Sequence, residues 1–108
     1  MSEAALSCSP GLVRITFSPE MARLVYAGKK CCTTRRAPKA KPGEVFPLYG
    51  WRYRVLDVIA MELQQVVNDL YRLEGFDHPA GLSETITALY PDLEGDDTVF
   101  VHFFAREG

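Results

Sequence analysis

The side chains best suited to chemistry lie in one short basic segment, residues 28–36. It reads Gly-Lys-Lys-Cys-Cys-Thr-Thr-Arg-Arg, so an amine, hydroxyls and guanidinium groups follow a flexible glycine. A desolvated lysine near other cations can take a proton from a hydroxyl that is unreactive alone. Arginine can hold a carboxylate, a phosphate or a base edge with its rigid fork. The segment therefore predicts nucleophilic catalysis or the binding of an anionic or nucleobase ligand.

Strand geometry limits which of these side chains can act together. On a regular strand Thr33 and Arg35 share one face, whereas Lys30 has the opposite parity. Lys30 must leave the pleat to join Thr33, which a turn after Gly28 would allow. The alternative is a plain basic strand edge, which discourages aggregation with other strands.

Metal binding has little support among the available ligands. A structural zinc site needs four Cys or His ligands in spaced pairs. This chain has three cysteines and two histidines, all single or adjacent: Cys8, Cys31, Cys32, His78 and His102. We expect no metal and reduced thiols, and we expect His102, inside an aromatic strand, to be a hydrogen-bonded packing residue.

Length and composition bound the remaining possibilities. A chain of 108 residues with 47% hydrophobic content predicts one domain with one core. No apolar run approaches the ~20 residues of a membrane span, and the N-terminal run lacks the pattern of a secretion signal. We therefore expect a cytoplasmic protein that does not contact membranes.

Charge is distributed unevenly along the chain. Residues 1–54 carry 10 Lys and Arg against 3 Asp and Glu, whereas the remainder carries 2 against 11. This asymmetry indicates a surface that faces a polyanion, unless the fold interleaves the two halves and cancels it.

Hydrophobic spacing and turn residues predict a mixture of strands and helices. A loose tail is expected over 1–11 and a folded domain over 12–108. Predicted strands cover 12–17, 29–36, 44–49, a long and bent run over 53–63, and 98–105. Ser18 and Pro19 predict the start of a first helix, which Gly28 ends. A second helix is predicted from Leu63, with Gly75 as its stop. A third is predicted from Pro79, and Pro91 ends it.

The motif Gly28-x-Lys30-x-x-Thr33-x-Arg35 resembles the hallmark of ASCH domains, which are PUA-like β-barrels related to an RNA-binding fold. The similarity extends over almost the whole chain. It includes Phe17, Pro42-Gly43-Glu44, Glu74-Gly75-Phe76 and Val101-His102-Phe103. The resemblance implies an α+β, PUA-like fold, with a small mixed β-barrel flanked by about three helices.

The resemblance also implies an activity. A bacterial group of ASCH proteins removes acyl groups from the exocyclic amine of cytidine, without metal or organic cofactor. Their catalytic positions correspond to Lys30, Thr33 and Glu74. We expect Gly28, Arg35 and Arg36 to bind the substrate, although the doubled Arg35-Arg36 departs from the family pattern. In this scheme Thr33 attacks the acyl carbon, Lys30 accepts its proton and Glu74 exchanges protons with the leaving amine or with water.

Other ASCH proteins are regarded as RNA-binding modules, which gives the alternative. In that case Lys29, Lys39 and Lys41, with the basic residues of the motif, would contact phosphates. Tyr49, Trp51 or Tyr53 would stack on bases. The expected partner is then RNA rather than a modified nucleoside, and no protein partner is indicated.

Overall fold

The computed structural model describes residues 12–107, and the predicted tail over 1–11 lies outside them. Within residues 12–107, three helices and four strands follow one another. They are α1 (Pro19–Tyr26), β1 (Cys32–Arg35), β2 (Val45–Leu48), β3 (Trp51–Glu62), α2 (Leu63–Asp69), α3 (Pro79–Leu89) and β4 (Thr98–Arg106). None of the helices in this part of the chain is long and apolar enough to cross a membrane.

The strands form one antiparallel sheet in the order β1-β4-β3-β2. β3 pairs with β2 near its start and with β4 over most of its length, and its register shifts between Val55 and Asp57. Such a bulge bends a strand and increases its twist. The sheet is therefore curled into a half-barrel, and together with the three helices it gives the α+β architecture that the resemblance implied.

Each face of the sheet is covered by a separate cluster of apolar side chains, as the alternation in β4 predicted. The first cluster includes Val25 of α1, Val55 of β3 and Phe104 of β4. The second joins Val101 of β4 to the helices α2 and α3. β1 is an edge strand between these two layers, so its side chains reach both.

Two predicted strands differ from the structure. The segment 12–17 is not a strand, because only Leu12 forms a bridge, to Val45, before the chain crosses the sheet face. β1 is shorter than predicted, because the amide N–H groups of Lys29 and Lys30 both donate to the carbonyl of Leu24 and so continue the end of α1.

Candidate functional site

A cleft of about 890 Å³ runs along β1, between α1 and α3. Four buried polar side chains form its innermost part, namely Lys30, Thr33, Thr34 and Glu74. Its walls are largely apolar and include Phe17, Phe76, Leu82, Ile86 and Tyr90. A concave apolar site with a few convergent polar groups is the usual form of a small-molecule site.

Two glycine-terminated turns bring Lys30 and Glu74 to this cleft. Gly28 has φ +79° and Gly75 has φ +96°, conformations that glycine adopts without steric cost. The residue after each glycine donates its N–H to a carbonyl five residues earlier. Lys29 donates to Leu24 and Phe76 donates to Tyr71, and each of these bonds closes a Schellman motif.

The two turns are tied directly to each other. The N–H of Cys31 donates to the carbonyl of Leu73 at 2.7 Å, so the segments that carry Lys30 and Glu74 lie side by side. Gly75 was predicted as a helix stop, and it does end a helical turn. That turn is separate from α2, which ends at Asp69 rather than continuing to Glu74.

The Glu74 carboxylate is held at both of its oxygens. The Nζ of Lys30 lies 2.5 Å from Oε1 and also donates to the Glu74 carbonyl at 3.3 Å. The hydroxyl of Thr34 donates to Oε2. Lys30 is 4% exposed and Glu74 is 2% exposed, so the ion pair is shielded from bulk water. Charge-assisted hydrogen bonds of this kind are stronger than neutral ones.

Thr33 and Arg35 share a face of β1, as predicted, and they contact each other. The Nε of Arg35 donates to the Thr33 hydroxyl at 3.3 Å. Its guanidinium also donates to the Thr16 carbonyl at 2.6 Å and lies over the Phe17 ring at 5.4 Å. Burial lowers the pKa of Arg35, and its three contacts keep the guanidinium in one position at the cleft wall.

His102 of β4 pairs directly with Thr33 of β1 and is fully buried. Its Nε2 accepts from the Lys39 N–H at 2.9 Å, so the proton is assigned to Nδ1, which faces the Thr33 and Phe100 carbonyls. Burial lowers the pKa of His102, which favours this neutral form. The prediction of a hydrogen-bonded packing residue is confirmed.

Several predicted substrate-binding and RNA-binding residues lie away from the cleft. Gly28 lines a separate cavity of about 190 Å³. Arg36 is paired with Asp92 and lies over the Tyr90 ring. Lys29 is exposed in a shallow groove beside Arg72. Lys39 and Lys41 are exposed on the loop between β1 and β2.

The three aromatic residues proposed to stack on bases have different environments. Tyr53 is 3% exposed and is stacked against Phe46 in the core, so this part of the prediction is wrong. Tyr49 and Trp51 are exposed at the turn between β2 and β3. The guanidinium of Arg106 lies 4.3 Å from the centre of the Trp51 ring.

Sequence reasoning missed Thr34. The spacing of the residues already indicated Thr34, because residues 30 and 34 have the same parity on a strand, whereas residue 33 has the other. Thr34 is therefore expected on the same face as Lys30. In the structure Thr34 lies on the face of β1 that meets Glu74, whereas Thr33 lies on the face that meets Arg35. The two neighbouring threonines therefore have different partners.

The two cysteines among residues 12–107, Cys31 and Cys32, are not among the side chains that line this cleft. Cys31 and Cys32 are free thiols, and burial raises the pKa of the Cys32 thiol, which keeps it protonated. Within residues 12–107, no group of three or more His, Cys, Asp or Glu side chains could hold a metal ion.

The fold and the cleft define a class: a small α+β domain with a curled antiparallel sheet and a buried Lys–Glu pair beside its edge strand. No protein-family model matches the chain, and no curated protein matches it significantly. Solved structures do match it, and the ones described next are ASCH domains or share their architecture.

The ASCH domain of Lactobacillus crispatus superposes with a TM-score of 0.75 at 13% identity, over 98% of this chain and 85% of that one. A mutant form of the ASCH protein of Zymomonas mobilis superposes with a TM-score of 0.64 at 16% identity, over 87% of this chain and 67% of that one. A protein from Enterococcus faecalis superposes with a TM-score of 0.60 at 16% identity, over 90% of this chain and 79% of that one. The chain thus has the ASCH-domain fold, which confirms the resemblance at the level of the fold.

Proposed function

We propose that this protein is an ASCH-type amidohydrolase that removes the acyl group from the exocyclic amine of a modified cytidine or a related nucleoside. The observation that carries the proposal is the buried contact of 2.5 Å between Lys30 Nζ and Glu74 Oε1, inside a cleft that Thr33 also lines. Burying such a pair is costly, which favours a functional reason for its position in a cleft.

The contact between Lys30 and Glu74 supports proton transfer in both directions. At this separation the ammonium proton can pass to the carboxylate, which leaves a neutral amine and a carboxylic acid. The amine is then a base for the nucleophile, and the acid can protonate the leaving group.

Acylation follows from this protonation state. The Thr33 oxygen attacks the acyl carbon while its proton passes to the Lys30 amine. The bond between the acyl carbon and the exocyclic nitrogen breaks, and the nitrogen takes the proton of Glu74. The products are cytidine, an ester on Thr33, an ammonium and a carboxylate.

Deacylation restores the starting state. Water gives a proton to the Glu74 carboxylate and its oxygen attacks the ester. The Thr33 oxygen leaves and takes the proton of the Lys30 ammonium. Arg35, held at the cleft wall and hydrogen-bonded to the Thr33 oxygen, positions that oxygen and the substrate.

The test is release of cytidine and acetate from 4-N-acetylcytidine by the purified protein and by Thr33→Val. Removing the attacking oxygen should lower kcat by at least about a thousandfold. Thr98→Val is the matched control, because Thr98 is an exposed threonine in β4, and its kcat should equal that of the wild type. Equal turnover by Thr33→Val, with an unchanged melting temperature, would exclude Thr33 as the nucleophile.

The second candidate function, RNA binding, is favoured by one observation: the exposure of Lys29, Lys39 and Lys41. Phosphate contacts by these lysines would make affinity fall steeply with salt. Thr33→Val would leave such binding intact, since it removes only a neutral hydroxyl. The same variant therefore distinguishes the two functions.

A further inference from the structure

We infer that Thr34, which lies outside the four fixed positions of the motif, is a positioning residue that fixes the orientation of the Glu74 carboxylate. The inference rests on the proposed function, because orientation matters only if Glu74 exchanges protons during turnover. Its structural basis is the hydrogen bond from the Thr34 hydroxyl to Oε2, opposite the oxygen that contacts Lys30.

The two donors together fix the plane of the carboxylate. A carboxylate held only at Oε1 can rotate about its terminal torsion, which is a broad and weakly restrained one. With Oε2 held by Thr34, Oε1 stays directed toward the Lys30 amine. The proton exchanged between Lys30 and Glu74 is then confined to Oε1.

Thr34 is itself held rigidly. It lies in β1, where it pairs with Val101 of β4, and it is 8% exposed. A β-branched side chain on a strand has few accessible χ1 values. The hydroxyl is therefore anchored in the sheet, whereas Glu74 lies in a turn between α2 and α3 and depends on this contact for its alignment.

Loss of the Thr34 hydroxyl should affect the chemical step rather than substrate binding. Small misplacement of a catalytic group lowers rates by about a hundredfold. We expect Thr34→Val to lower kcat by about 10- to 100-fold with an unchanged KM, and Thr34→Ser to restore most of kcat. A purely structural role for the hydroxyl would lower the melting temperature of Thr34→Val without lowering kcat of the folded protein.

Thr33→Val is the matched control at the neighbouring position. With acylated substrate, Thr33→Val should form no acyl-enzyme, whereas Thr34→Val should still form it, slowly, as detected by intact-protein mass spectrometry. If Thr34→Val does not fold, Thr34→Ala and Thr34→Ser supply the same comparison, since serine differs from alanine by the hydroxyl oxygen. A wild-type kcat in a folded variant without the hydroxyl would overturn the inference.

Crystal structures of the variants give a readout that does not depend on turnover. The Glu74 carboxylate should rotate away from Lys30 in Thr34→Val and keep its orientation in Thr34→Ser. If no acylated nucleoside is hydrolysed but this rotation occurs, the proposed function fails and Thr34 is still the residue that orients Glu74. If the carboxylate keeps its orientation in Thr34→Val, the inference fails whatever the activity.

Discussion

Lys30 and Glu74 place two opposite charges in a site almost free of solvent, and this arrangement has a consequence for stability. Removing one partner of a buried pair leaves an uncompensated charge, which typically costs about 3–5 kcal/mol. Removing both partners leaves no such charge. The pair should therefore be strongly coupled in its contribution to the free energy of unfolding.

We expect Lys30→Met and Glu74→Gln each to lower the free energy of unfolding by about 3–5 kcal/mol, and the double variant to lose much less than the sum. Urea unfolding of the four proteins gives the coupling energy. The exposed pair Arg36 and Asp92 is the control, and Arg36→Met with Asp92→Asn should show little coupling. Additive losses at Lys30 and Glu74 would contradict a shielded pair.

At the scale of elements, the site depends on short connections rather than on the centres of helices or strands. Lys30 follows the turn that ends α1, and Glu74 lies in the turn that ends at Gly75. Space at Gly75 is limited. An added Cβ would come within 3.0 Å of Leu24 Cδ1 and 3.4 Å of Lys30 Cβ.

Gly75→Ala should therefore destabilise the protein in two ways. A left-handed alanine costs about 1–2 kcal/mol, and the contact with Leu24 and Lys30 should add about 1–3 kcal/mol. Gly43→Ala is the matched control, because Gly43 has φ +93° with no atom near the added Cβ and should show only the first loss. Thermal unfolding of the two variants measures the difference, and equal losses would mean that the turn can move away from α1.

At the scale of the whole molecule, ion pairing offsets part of the uneven charge of the sequence. The three ion pairs recorded among residues 12–107 each join the basic first half to the acidic second half. They are Lys30 with Glu74, Arg36 with Asp92, and Arg54 with Glu107. The fold interleaves the two halves, which was the alternative to a single polyanion-facing surface.

His102 connects β1, β4 and the loop after β1, so its protonation should affect global stability. The folded protein holds this ring neutral, whereas the unfolded chain protonates it below its ordinary pKa of 6.5. Below that pH the unfolded state binds more protons than the folded state. The stabilisation is therefore present at neutral pH and is lost as pH falls through 6.5, by at most about 1.4 kcal/mol per pH unit.

The comparison of wild type with His102→Gln isolates this effect, because other acidic groups titrate equally in both proteins. Glutamine can still accept from the Lys39 N–H but does not titrate. Between pH 7 and about 5, urea unfolding should show a larger loss of stability for the wild type. Parallel pH profiles would mean that His102 is protonated in the folded state as readily as in the unfolded one.

The sequence by itself determined the features that depend on neighbouring residues. Ser18 caps α1 and Pro19 begins it, Pro79 begins α3, and Gly28 and Gly75 close turns, because each acts through its own backbone or within one turn. The alternation in β4 likewise predicted a strand covered on both faces. A motif with fixed spacing then pointed to the ASCH fold.

Only the tertiary structure decided what depends on distant partners. Residues 12–17 alternate like a strand, but their pairing with the edge of β2 is limited to the bridge between Leu12 and Val45, so no strand forms. Parity places Thr34 on the same side of β1 as Lys30, but spacing does not show which side Glu74 approaches, because 40 residues separate Thr34 from Glu74. Only the folded chain brings the turn after α2 to one face of β1. Thr34 lies on that face and contacts Glu74, whereas Thr33 lies on the other face and contacts Arg35.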